Sequence, residues 1–182
     1  MTLILLGLIL WSGSHFWKRL APAHRAAMGD KGKLVVTVAS IAGIVLMVIG
    51  YRMADTTFYW GRSPALTGIN NLMMLLAFYL FAASGAKTKI TKIVRHPQLT
   101  AVLIWSIAHI LVNGDTPSFV LFGGLGLWAI AEMVVINRAE GPRGPYHAVP
   151  IKKEITALVA TVVVFTVVGG IHALLGYNPF GS

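Results

Sequence analysis

Six apolar runs, each near the length of a bilayer crossing, alternate with short segments, every second one rich in Lys and Arg. They occupy 2–17, 34–51, 66–84, 98–112, 118–136 and 155–175. Crossing about 30 Å of hydrocarbon as a helix takes about 20 residues. None of the runs alternates apolar with polar residues as a barrel strand would, so helices are expected. The first and fourth are short and borrow from their flanks: Phe16 and Trp17 as interfacial aromatics, Pro97 as a first-turn residue with a pre-set φ. With 56% apolar and 12% charged residues and a mean hydropathy of +0.74, the chain has too little polar surface for a water-soluble globule. The expectation is an all-α integral membrane bundle of about six transmembrane helices forming one domain over 1–182. Setting the first three spans against the last three gives no match beyond apolarity, so no internal repeat is expected.

No small-residue cleavage site follows the first run, which leads directly into basic residues and is read as a retained span. The absence of cysteine excludes disulfides, thiolate ligands and cysteine nucleophiles, leaving His, carboxylate, Met or Tyr for any metal. The net charge of +9 is topological and does not point to nucleic acid, because the basic residues flank apolar spans. Lys18, Arg19, Arg25, Lys31 and Lys33 fall between spans one and two. Lys87, Lys89, Lys92 and Arg95 fall between three and four, and Arg138, Arg143, Lys152 and Lys153 between five and six; the other side carries only Arg52 and Arg62. The positive-inside rule then puts both termini on the non-cytoplasmic side. The expected location is the bacterial inner membrane.

Two connecting segments carry local signals. Met53 to Pro64 contains Phe58, Tyr59, Trp60 and Arg62, which suits an aromatic anchor in the interface or a lid over the outer mouth. Asn113-Gly114-Asp115-Thr116-Pro117 reads as a tight turn, with Ser118 placed to cap span five and spans four and five forming an antiparallel hairpin.

An ionisable side chain inside a span is costly, so it is paired or functional. His15, His96, His109, Glu132 and His172 are of this kind. His15, His96 and Glu132 fall towards the cytoplasmic ends of their spans. His109 lies about 19 Å further along span four than His96, and so in the outer half with His172. Depth therefore offers two pairs: His15 with His96, and His109 with His172. Imidazole suits iron, zinc or copper, and two histidines from separate helices are a common way for a bundle to hold a b-type haem. Trp105, His109 and Val112 or Asn113 share a face, with Ser106 three residues before His109. Asn113 either orients His109 or caps the helix end. His24 and His147, among charged or turn residues, are expected to be solvated.

In order and spacing these residues resemble the NnrU family of bacterial membrane proteins, whose plant and cyanobacterial relatives include zeta-carotene isomerase. The resemblance rests on Ser14-His15, Arg95-His96-Pro97-Gln98, Trp105, Ala108-His109, Asn113-Gly114-Asp115, Ser118 and Leu121-Phe122-Gly123-Gly124. It implies a haem b, with His15 and His109 at the positions of the isomerase's haem-binding histidines. His96 and His172 are the replacements, and Trp105 and Asn113 the cofactor-facing neighbours. It further implies a role in nitrite and nitric oxide respiration or a haem-dependent isomerisation, with a respiratory partner or a lipophilic substrate. Where the isomerase has a cysteine, this chain has Ser106, a poor iron ligand. The depth estimate places His15 and His109 about 10 Å apart. Sharing one iron would require span one to continue to about Arg19 within the membrane, or one of the two to have another partner.

A second resemblance, to isoprenylcysteine and phospholipid methyltransferases, rests on Arg95-His96-Pro97, Glu132, Gly144, Tyr146, Val149 and Pro150. It implies S-adenosylmethionine near His96, Glu132 and His147, although those enzymes carry adjacent acids where this chain has Glu132 followed by Met133. A third class is a cofactor-free membrane scaffold for assembly of a respiratory enzyme.

Overall fold

The computed structural model describes residues 1–142 and 148–181. The described residues form seven α-helices: α1 Thr2–Leu20, α2 Pro22–Ala27, α3 Gly29–Met53, α4 Pro64–Ala86, α5 Pro97–Val112, α6 Thr116–Glu140 and α7 Ile151–Leu174. Two short strands, β1 Phe58–Trp60 and β2 Gly114–Asp115, and a 3-10 turn, Lys89–Lys92, complete the described elements. Four of the helices, α3, α4, α6 and α7, are long and apolar enough to cross a membrane. At 16 residues, α5 is a shorter apolar helix. The apolar run of α1 is diluted by Ser12, Gly13, Ser14 and His15. Outward-facing side chains such as Ile9, Val38, Leu72, Leu127 and Val162 are more than half exposed, as expected of helices whose outer surface meets lipid.

The helices divide into two compact units, Met1–Tyr59 with Asp115–Arg143, and Trp60–Gly114 with Gly144–Ser182. Expected as a hairpin, α5 and α6 therefore belong to different units. In the first unit α1 packs on α3 and on α6. The α1–α3 contact is a close approach of backbones. A Cβ on Gly7 would lie 2.6 Å from the Gly43 carbonyl oxygen, and one on Gly50 would lie 2.7 Å from the Ile4 nitrogen. Small residues at these positions let two membrane helices pack without a hydrophobic driving force. Ser14 and Ser40 continue the seam with a 3.2 Å hydroxyl contact. Leu8 lies against Gly124 of α6, and Ile4, Met47, Phe122, Leu125 and Trp128 are the buried apolar residues around it.

In the second unit α4 is central, packed against α5 and α7, with Ala77, Leu80 and Ala101 at the core and Ile104 and Trp105 against them. Both flanking helices run antiparallel to α4: Trp60 Nε1 donates to the Leu111 carbonyl at 3.2 Å, and Asn71 donates to the Pro179 carbonyl at 3.0 Å. Phe180 folds back over Gly169.

Several local expectations are corrected. The first basic segment is not a loop: Lys18 and Arg19 close α1, and Pro22, at the first position of α2, restarts a helix at once. His24 is exposed as expected, and there Trp17 donates to its Nδ1 at 3.1 Å while Arg25 lies 5.8 Å over the same indole, so it also braces the corner. Ser118 is not the cap of α6. Asp115 takes that role, accepting the Ser118 N–H at 2.8 Å, because the helix begins two residues earlier than its apolar pattern. The Ser118 hydroxyl is fully buried instead, bonded to Tyr51 at 2.8 Å. Residues 58–60 are exposed aromatics, which fits the interfacial anchor, and Arg62 donates to the Asn178 carbonyl at 2.7 Å.

The glycine seam makes a prediction with opposite signs along one helix. Gly7→Ala should destabilise the protein by about 1–3 kcal/mol through overpacking against Gly43. Gly13→Ala, where a Cβ meets nothing within 4 Å, should stabilise it by about 0.5–1 kcal/mol. Thermal unfolding in detergent measures both.

Candidate functional site

Each unit presents one imidazole held in the same way. On α1, His15 Nδ1 lies 2.7 Å from the Trp11 carbonyl oxygen one turn back. On α5, His109 Nδ1 lies 2.9 Å from the Trp105 carbonyl oxygen. A carbonyl only accepts, so Nδ1 carries the proton in both rings and Nε2 carries the lone pair. The tryptophan that supplies the carbonyl also packs its ring on the imidazole, with centroids 4.3 Å apart for Trp11 and His15 and 4.8 Å for Trp105 and His109. The sequences are Trp11-Ser12-Gly13-Ser14-His15 and Trp105-Ser106-Ile107-Ala108-His109. A Trp-Ser-x-small-His motif therefore recurs, which the span-by-span comparison missed because it set span one against span four by apolarity, not by polar residues.

In the first unit α6 completes the surroundings of His15. Trp128 meets Trp11 edge-on at 5.4 Å and His15 at 5.1 Å. One turn on, Glu132 is buried and feels both His15 and Arg19 electrostatically. Arg19 itself pairs with Glu140 at 2.7 Å. Three polar atoms here are buried with no hydrogen-bond partner among the described residues: Trp11 Nε1, Trp128 Nε1 and Glu132 Oε2. Neither tryptophan nitrogen was anticipated; the recurrence of Trp four residues before His was the available signal for Trp11.

The second unit gathers its polar groups where α4 begins and where α5 and α7 end. His172 and Arg62 both act electrostatically on His109, so the outer pair proposed from depth, His109 with His172, shares one unit. His172 has the same one-turn anchor, Nδ1 to the Val168 carbonyl oxygen at 2.8 Å, with valine in place of tryptophan. Asn113 donates its amide to the His109 carbonyl at 2.9 Å, so of its two expected roles it performs the capping one. On α4, Thr67 and Asn70 are buried, with Thr67 Oγ1 and Asn70 Oδ1 unpartnered. Ser106, at the position of the isomerase-like cysteine, is 2% exposed and its hydroxyl has no partner.

His96 stands apart from these groups in sequence role. It is the N-cap residue of α5, and its carbonyl accepts the Thr100 N–H at 2.8 Å. His15 and Glu132 belong to the first unit and His96, His109 and His172 to the second, so neither unit by itself assembles the His15–His96 pair, the His15–His109 pair or the methyltransferase grouping. Gly144, Tyr146 and His147 lie outside the described residues.

The donor set fits a haem iron. An imidazole whose Nδ1–H is fixed to a carbonyl presents Nε2 as the ligating nitrogen in one tautomer and orientation, the arrangement that second-shell hydrogen bonds give metal-bound histidine. Among the described residues no group of three or more His, Asp or Glu side chains stands ready for a bare metal ion.

These features define a helical membrane protein with tryptophan-supported imidazoles inside its helices. The chain belongs to the NnrU family: the family model described as NnrU protein matches residues 3–179. No curated protein and no solved structure is significantly similar to it.

Ser106 and Asn113 separate cost from support on the same helix. Ser106→Ala removes a buried hydroxyl that has no partner, so thermal stability should stay level or rise by up to about 1 kcal/mol. Asn113→Ala should lower it by about 1 kcal/mol by exposing the last carbonyls of α5. A drop on Ser106→Ala as large as that on Asn113→Ala would show that the hydroxyl is engaged.

Proposed function

We propose that this NnrU-family protein is a haem b-binding protein of the bacterial inner membrane, with His15 in the first unit and His109 in the second as the candidate ligands, each offering Nε2. The single observation that carries the reading is the repeated anchor, Nδ1–H to a tryptophan carbonyl with the indole packed on the ring, at both histidines singled out by family resemblance. His172 is the replacement ligand in the second unit, since it has the same backbone anchor. Six crossings with both termini on the non-cytoplasmic side accommodate the helices: α1 and α6 run parallel in one unit, as the first and fifth spans must. In the other unit α4 opposes α5 and α7, as odd and even spans must. The continuation of α1 to Leu20 supports a first span that reaches Arg19, with the basic ends snorkelling to the interface.

When bound, a haem supplies an iron that exchanges electrons or acts on a polarisable substrate such as a polyene. The chain's own contributions are distinct. Trp11 and Trp105 fix the tautomer and plane of their histidines. The apolar spans exclude water from the imidazoles. Glu132 holds an acidic group beside His15, and Arg19 with Glu140 closes the basic end of the same unit. The biological setting is nitrite and nitric oxide respiration or a haem-dependent isomerisation of a lipophilic substrate, in line with the family.

A reduced-minus-oxidised optical spectrum of the purified protein tests the reading. A Soret band with resolved α and β bands is expected, and its absence after haem supplementation overturns the reading. His109→Ala and His15→Ala should each abolish or shift the band. An unchanged spectrum in one of them moves that ligand to His172 or His96.

A further inference from the structure

The end of the second unit opposite His109 and His172 is built around charge. There the last turn of α4 and the first turn of α7 enclose an open cleft of about 540 Å³, with Gly85, Lys87, Pro150, Lys152, Lys153 and Thr156 among its lining residues. Lys87 ends α4 in the left-handed conformation, φ 57°, and its N–H returns to the Ala83 carbonyl, which sets the direction in which the chain leaves the helix. Glu154, in the same turn of α7, accepts the backbone N–H of Lys89 at 2.7 Å, tying the 3-10 turn to α7. Among the described residues, none of Lys87, Lys152 and Lys153 pairs with a carboxylate.

Three ammonium groups around one cleft, set against the single Glu154 carboxylate, repel each other and leave a net positive charge that attracts an anion. Ammonium groups serve phosphate as mobile point charges with three donors each. The surface beneath the cleft identifies the source of the phosphate. Along α7, one to three turns further on, Ile155, Leu158, Val159 and Val162 are 55%, 55%, 56% and 59% exposed, an apolar strip continuous with the charged rim. A soluble anion would use only the rim, whereas a lipid would use both. We propose that this cleft binds the phosphate of an anionic phospholipid headgroup, with the acyl chains lying along the exposed face of α7. Basic pockets between transmembrane helices hold anionic headgroups by this combination of charge and apolar surface. Because the site uses none of the imidazoles, it stands or falls apart from haem binding.

The test uses the full-length chain in a zwitterionic detergent, with bound lipid read by native mass spectrometry. Palmitoyl-oleoyl phosphatidylglycerol and the matched phosphatidylcholine are the probes. The expected result is selective retention of phosphatidylglycerol, weakened roughly a hundredfold in the triple variant Lys87→Gln, Lys152→Gln, Lys153→Gln. Neutralising Lys18, Lys31 and Lys33 instead should leave it unchanged. Gly85→Leu provides a second variant that keeps every charge. A Cβ at Gly85 meets nothing within 4 Å, so leucine fills the cleft without disturbing packing and should also weaken retention. Equal retention of the two lipids, or undiminished retention in both the triple variant and Gly85→Leu, overturns the proposal. So does complete displacement of phosphatidylglycerol by excess inorganic phosphate, which would make this a free-anion site.

Discussion

A polar side chain in hydrocarbon has no water to bond, so it must find its partner on its own helix or on a neighbour. His15, His109 and His172 each do this by the shortest route, donating Nδ1–H to the carbonyl one turn back. The bond removes one polar atom from the problem and leaves the other, Nε2, in a fixed direction. Most of the candidate chemistry depends on that asymmetry. An imidazole that rotated freely would offer either nitrogen and commit neither, whereas one tied to the backbone behaves as a directed ligand.

What the tie requires of the surrounding helices differs between the two units. In the first, the α1 and α3 backbones come into contact through Gly7, Gly43 and Gly50, which leaves the other side of α1 to α6. Leu8 against Gly124 and Trp11 against Trp128 keep α1 and α6 in register. That register delivers Glu132 to His15. In the second, α4 is the shared neighbour of α5 and α7, and the chain on either side of it, Arg62 and the segment from Tyr177 to Phe180, is stitched across its end by hydrogen bonds to backbone carbonyls. Polar residues that would be isolated on single helices thus share an end of the unit.

The helical class, the membrane and most helix positions were legible in the sequence because apolar run length and flanking charge are local properties. The residues of the His109 face were legible for the same reason: Trp105, Ser106, His109 and Asn113 lie within three turns of one helix. Three things were not. The cap of α6 was misassigned because Ser118 and Asp115 are both good capping residues, and only the buried Tyr51 hydroxyl, 67 residues away from Ser118, decides between them. Helix α2, Pro22–Ala27, leaves no mark in the hydropathy pattern because six residues are too few to show a period. The meeting of His15 with Trp128 and Glu132 depends on α1 packing beside α6, a pairing across more than a hundred residues that no local pattern encodes.

A buried polar atom without a partner costs about 1–3 kcal/mol, so where such atoms accumulate says what a fold has not been selected to relieve. Here they gather in a few places. Trp11 Nε1, Trp128 Nε1 and Glu132 Oε2 surround His15, and Ser106 Oγ sits one turn from His109 on the same helix. Thr67 and Asn70 lie on the end of α4 that serves His109 and His172. An apolar side chain carries no such desolvation cost, and the buried apolar residues of both cores are chiefly Ala, Leu, Ile, Val, Met and Phe. Thr88 Oγ1, beyond the other end of α4, is the exception; the remaining unrelieved donors and acceptors lie near the anchored imidazoles, the distribution expected when stability is given up locally to keep polar groups ready for a bound partner.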